Sequence, residues 1–114
     1  MNESKYVKIV FTTPESHADI IKEAMGNAGA GKIGNYSFCF FTVKGIGQFK
    51  PEEGAKPFIG KINKIELVNE ERIETVCERD CLEKVIEAIK RVHPYEEIAL
   101  DVYQLEDIGM NIKR

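Results

Sequence analysis

The 114-residue sequence has no tryptophan, only two histidines (His17 and His93), and three cysteines (Cys39, Cys77 and Cys81). None of the cysteines forms a Cys-x-x-Cys pair, and their number is odd, so a disulfide framework is not expected. They read instead as reduced thiols acting as small hydrophobes. No run approaches the roughly 18 consecutive apolar residues of a membrane span, and the polar N-terminus lacks the apolar core of an export signal. The expected location is cytoplasmic, with no membrane partner. Neither sign of charge dominates: sixteen Lys and Arg against nineteen Asp and Glu leave a net charge of −3, so there is no basic footprint for nucleic acid. Few side chains suited to nucleophilic or multi-metal chemistry remain.

What is present is strong periodicity. Tyr6 to Thr13 alternates as a strand, and Thr13-Pro14 then reads as the cap and first position of a helix. That helix carries Ala18, Ile21 and Met25 on one face and is expected to end near Ala28, before a glycine-rich turn. Tyr36 to Val43 is aromatic and β-branched and predicts a second strand, with Phe38 and Phe40 facing one way and Cys39, Phe41 and Val43 the other. Lys44 to Lys61 reads as a packed loop anchored by Ile46, Phe49, Phe58 and Ile59. Lys64 to Glu78 predicts one long bent strand or two short ones. Asp80 and Glu83 form a capping-box pattern before a helix with the stripe Leu82, Val85, Ile86, Ile89 and Val92, which Pro94 must stop. Glu97 to Leu105 alternates as a last strand, and 106–114 reads as a loose tail.

The order β-α-β-β-α-β with right-handed crossovers places both helices on one face of an antiparallel sheet, a ferredoxin-like α+β fold in a single domain with its core in 6–105. The other face keeps apolar residues such as Val10, Phe41 and Val43, so something must cover it. A further copy of the chain, in a closed homo-oligomer, is the simplest cover.

One segment concentrates chemistry. His93-Pro-Tyr-Glu-Glu97 places an imidazole, a phenol and two carboxylates between a helix and a strand. It can be part of a divalent metal site, with His93 and Glu96 as ligands, or simply a helix terminator whose carboxylates are solvated. No Ser-His-Asp or Cys-His arrangement can be assembled, no catalytic residue is assigned, and His17 has no role. The Gly45-Ile-Gly47 pair does not have the spacing of a nucleotide-binding loop.

The motifs Gly29-Ala-Gly-Lys-Ile-Gly-Asn-Tyr-Ser-Phe-Cys39, Gly45-Ile-Gly-Gln-Phe49, Pro51-Glu-Glu-Gly-Ala-Lys-Pro-Phe-Ile-Gly60, Arg72-Ile-Glu74 and His93-Pro-Tyr-Glu-Glu97 followed by Asp101-Val-Tyr103 occur in one order. Together they resemble the central insert of the NGG-interacting-factor-three-like family of YqfO type, here read as a stand-alone version. The His-Pro-Tyr-Glu portion is also similar to CutA, and the whole to the CutA and PII fold, which implies a trimer. In that family a dinuclear hydrolase centre is attributed to two flanking lobes outside the matched stretch, so catalysis is not expected. The resemblance implies a binding or sensing module that takes a metal ion or small anion at clefts between subunits. It places Gly31, Gly34, Asn35, Tyr36 and Cys39 near subunit contacts with the His93 motif. Asn35, Tyr36, Cys39, Tyr95 and Glu97 are the expected ligand-binding residues, and His93 and Glu96 the metal ligands. The alternatives are an interaction module that docks a partner protein through the central loop, and a metal-dependent hydrolase.

Overall fold

The structure, a computed structural model, describes residues 3–114. Four strands, β1 (Tyr6–Pro14), β2 (Phe40–Phe49), β3 (Glu66–Glu78) and β4 (Leu100–Gln104), form one antiparallel sheet in the order β2-β3-β1-β4. Two helices, α1 (Ala18–Asn27) and α2 (Leu82–Val92), complete the ferredoxin-like α+β fold. Alternation does what the sequence pattern requires: Val7, Ile9 and Phe11 of β1 point to the same side as their partners Cys77, Thr75 and Ile73 on β3. Ile21 and Met25 of α1 and Val85 and Ile89 of α2 pack on them in one buried cluster, so both helices cover that one face.

The element boundaries differ from expectation in instructive places. β2 starts at Phe40 rather than Tyr36, because Ile33 and Tyr36 close a tight turn and Phe38 takes a left-handed backbone angle (φ 57°) that no continuing strand allows. It then runs on through Lys44–Phe49, which the sequence reading had assigned to the loop. Gly45 and Gly47 are therefore strand residues, opposite Glu70 and Val68. β3 is one continuous strand of 13 residues. Since β1 ends opposite Glu70, the pairs from Ile46↔Asn69 to Phe49↔Glu66 form a two-stranded extension past the body, and the molecule measures 51 × 31 × 22 Å.

Neither expected N-cap forms. Pro14 is the last residue of β1, the buried Thr13 hydroxyl donates to Pro14 O at 3.2 Å, and a 3-10 turn over Glu15–His17 leads into α1. A second 3-10 turn, Arg79–Cys81, replaces the Asp80 capping box ahead of α2. Such turns bond successive amides within the chain and leave less for a side-chain cap to do. At the other end α2 stops as expected, with His93 extended (ψ 131°) before Pro94. β4 is shorter than the expected 97–105, and the tail, expected to be loose, holds a 3-10 turn over Asp107–Asn111 whose Asp107 carboxylate accepts the Lys5 and Tyr6 amides at 2.8 and 3.1 Å. All three cysteines are free thiols, and burial pushes the Cys77 pKa up to about 11, so it remains a packed thiol. No helix of the described residues is long and apolar enough to cross a membrane.

Candidate functional site

The end of α2 turns His93 inward. The residue is only 6% exposed, with Nε2 at 2.8 Å from Thr12 O, while the Tyr95 backbone amide lies 3.1 Å from Nδ1. An amide can only donate, so Nδ1 accepts, and Nε2 therefore carries the proton and donates to Thr12 O. Burial is the main influence on this imidazole and lowers its pKa, opposed by the Thr12 bond and the nearby Glu70 charge. The neutral ring so held has no lone pair left for a metal ion.

Two residues on, the Tyr95 hydroxyl donates to Glu70 Oε2 at 2.6 Å. Burial, and then the bond to Glu70, raise the Tyr95 pKa, so the phenol keeps its proton. The ring of Tyr95 stands edge-on to Phe49 with centroids 5.7 Å apart. Glu96 ties the central loop down, its Oε1 accepting the Lys56 backbone amide at 2.7 Å. His17, given no role by the sequence, packs against Phe58 with ring centroids 5.5 Å apart and so holds the far side of the same loop.

Between that loop and the His93 turn lies a cleft of about 360 Å³. Phe49, Pro57, Phe58 and Ile59 give it apolar walls, and Glu70, Tyr95, Glu96 and Glu97 bring polar groups. Three of the expected site residues, Tyr95, Glu96 and Glu97, thus line one cavity, with His93 bonded behind it.

The others lie elsewhere. Asn35 and Tyr36 are exposed in the turn before β2, and Cys39 borders a shallow depression with Ile33 and Phe41. Cys39 is anchored through its backbone, its O accepting the Thr75 hydroxyl at 2.8 Å and its amide donating to Gly31 O at 2.9 Å. Gly31 has φ 80°, and a Cβ there would stand 2.7 Å from Cys39 N, so only glycine fits. Thr75 and Glu70 are five residues apart on β3, roughly 16 Å at about 3.3 Å per residue, and face opposite sides of the sheet. Within one chain the turn and the cleft are separate places. Among the described residues no group of three or more His, Cys, Asp or Glu side chains could hold a metal ion.

Glu70 is the residue that sequence reasoning missed. It sits in Asn69-Glu-Glu71, which reads as the bend of one long strand or the break between two short ones, and it is buried at 7% exposure on a continuous strand. The signal was the pair of glycines two apart in Gly45-Ile-Gly47: on a strand they clear one face, and a Cβ at Gly47 would collide with the Glu70 carboxylate.

No family model matches the chain. It is 51% identical over 107 residues to the GTP cyclohydrolase 1 type 2 homolog of Halalkalibacterium halodurans, covering 94% of this chain and 28% of that protein. It is 48% identical over 99 residues to the protein of the same name from Bacillus subtilis, covering 87% and 26%. Among solved structures, the Bacillus cereus protein related to NIF3 superposes with a TM-score of 0.79 at 42% identity, over 93% of this chain and 27% of that one. The periplasmic divalent cation tolerance protein CutA of Archaeoglobus fulgidus gives a TM-score of 0.63 at 18% identity, over 89% and 84%, a likeness of fold alone. By sequence, then, the chain is a homologue of one segment, about a quarter of the length, of the NIF3-related YqfO-type family, and that segment has the fold of CutA.

Proposed function

We propose that this chain is a non-catalytic ligand-binding module that works as a cytoplasmic homo-oligomer, with its ligand in the cleft between the central loop and the His93 turn. The observation that carries the reading is the chain of internal bonds from Thr12 O through His93 and Tyr95 to Glu70, which fixes one wall of the cavity. Sites of this kind, apolar with a few fixed polar groups, are the usual form of small-molecule pockets. The activity in the relatives' name does not rest on this segment in our reading. His93 has both nitrogens engaged, and among the described residues no group of three or more His, Cys, Asp or Glu side chains converges, which leaves too few ligands for a hydrolytic metal centre.

The oligomer is supported by the uncovered side of the sheet. Phe41 is 67% exposed, Val43 stands beside it, and β2 is an edge strand whose outer side meets no other strand among the described residues. Long apolar edges of that kind are normally covered. The trimer implied by the CutA resemblance would cover them and would bring the Asn35, Tyr36 and Cys39 turn of one copy toward a neighbour. A divalent ion on His93 and Glu96, the expectation from sequence, would require His93 to release the Tyr95 amide and a second copy to add ligands.

Light scattering and a ligand screen read by amide chemical shifts test the module directly. The expected result is an oligomer in which ligands move resonances of Phe49, Phe58 and Tyr95. A monomer would remove the oligomeric part of the reading. Shifts confined to the His93 ring on adding zinc would restore the metal reading. Docking of a partner protein is tested by deleting 51–60: a partner complex that survives the deletion counts against the loop as the docking element.

A further inference from the structure

The buried carboxylate of Glu70 lacks a counter-charge. It lies on β3 where β1 ends, and the absence of a side chain at Gly47 lets it lie flat against β2. One of its oxygens accepts the Tyr95 hydroxyl, and among the described residues no lysine or arginine forms an ion pair with it. Glu70 as a residue is only 7% exposed, and a carboxylate so far withdrawn from water is costly unless something of opposite sign meets it.

The same carboxylate lines the cleft, where Glu52, Glu96 and Glu97 join it against the one cationic side chain, Lys50. An anion is therefore the wrong ligand by sign. A bare divalent ion asks for several converging oxygens at short range, and no such group exists among the described residues. An ammonium group asks for less: one carboxylate, a hydroxyl oxygen and the faces of aromatic rings. Glu70 and Tyr95 supply the first two, while Phe49 and Phe58 supply rings and apolar wall. The volume of about 360 Å³ suits a small organic molecule better than a single ion.

We infer that the cleft binds a protonated organic amine, its ammonium group against the Glu70 carboxylate and Tyr95 oxygen and its apolar body between Phe49 and Phe58. The inference rests on the ligand-cleft reading above and adds the sign and class of the ligand.

The test uses the full chain with three probes of matched shape: phenethylamine, phenethyl alcohol and 3-phenylpropionate, followed by calorimetry and amide chemical shifts. Phenethylamine is expected to bind at least about tenfold more tightly than the alcohol, with the carboxylate weakest. Glu70→Gln, which keeps shape and removes charge, is expected to bring the amine down to the level of the alcohol. Glu83→Gln, exposed on α2 and outside the cleft, is expected to change nothing. Tyr95→Phe provides a second reading should Glu70→Gln not fold, with severalfold weaker amine binding expected. Equal affinity for amine and alcohol, tighter binding of 3-phenylpropionate, or full amine affinity in Glu70→Gln would each overturn the inference while leaving a ligand cleft in place. Zinc displacing the amine with loss of both in Glu70→Gln would overturn it in favour of a metal site. If no probe moves a cleft resonance at millimolar concentration, the cleft reading falls with it.

Discussion

Val7, Ile9 and Phe11 point from β1 into the helices and are sealed, whereas Phe41 and Val43 point from β2 to the opposite side of the same sheet and stand open to solvent. In composition the two sets are alike, and both obey the same alternation of strand side chains. What separates them is cover: α1 and α2 lie over the first set, and among the described residues no helix or strand lies over the second. A hydrophobic side chain thus marks a face that needs a partner without saying whether that partner is in the same chain.

Four perturbations separate these regions, in descending order of expected effect on the folded chain. Phe11→Ala empties the sealed face, where the ring is 2% exposed, and should cost about 3 to 5 kcal/mol, read from denaturant midpoints. Gly47→Ala pushes a methyl group into the Glu70 carboxylate, which has to shift from the position where it accepts the Tyr95 hydroxyl, so about 1 to 3 kcal/mol should be lost at the seam between the faces.

Acid should act next, through His93. Its pKa in the folded chain lies below the ordinary imidazole value of about 6.5, so between the two values the unfolded chain binds the extra proton. Stability is therefore full above that ordinary value and falls as pH drops through the window beneath it. Burial is the main reason, because it disfavours the charged ring, and a proton on Nδ1 would in addition face the Tyr95 amide, donor against donor. Denaturation midpoints measured from pH 7.5 down to 5 should show the decline, and a flat profile, or the same decline in His93→Gln, would remove His93 as its cause.

Phe41→Ser should have the smallest effect on the fold, within about 0.5 kcal/mol for the isolated chain, because little packing is lost. Light scattering should nevertheless show a smaller assembly. A large fall in monomer stability would mean that the open face is sealed after all.

Much of this molecule was legible from local pattern. The stripe on α2, its stop before Pro94 and the alternation of β1 each depend on residues within a few positions of one another, and each formed as read. The start of β2 was not legible, because the left-handed Phe38 and the Ile33↔Tyr36 pair interrupt a run that composition alone extends. Nor were the caps at Thr13 and Asp80, where 3-10 turns took their place. Of the residues that line the cleft, Tyr95, Glu96 and Glu97 were legible because they stand together in the one motif that concentrates polar groups. Glu70 was missed because its meaning depends on Gly47 and Tyr95, which lie 23 residues before it and 25 after it in the chain.

The opening shortage of histidine and cysteine keeps its force. Taken alone, the sequence determined the order of elements, the face each presents, and the scarcity of metal-binding groups, since these follow from short-range periodicity and from counting. Only the tertiary structure decided that His93 spends both nitrogens on the backbone, that two strand glycines make room for a buried carboxylate, and that Asn35, Tyr36 and Cys39 lie away from the cleft. Those outcomes are contacts between residues far apart in the chain, and a contact of that kind exists only once the sheet has set its register.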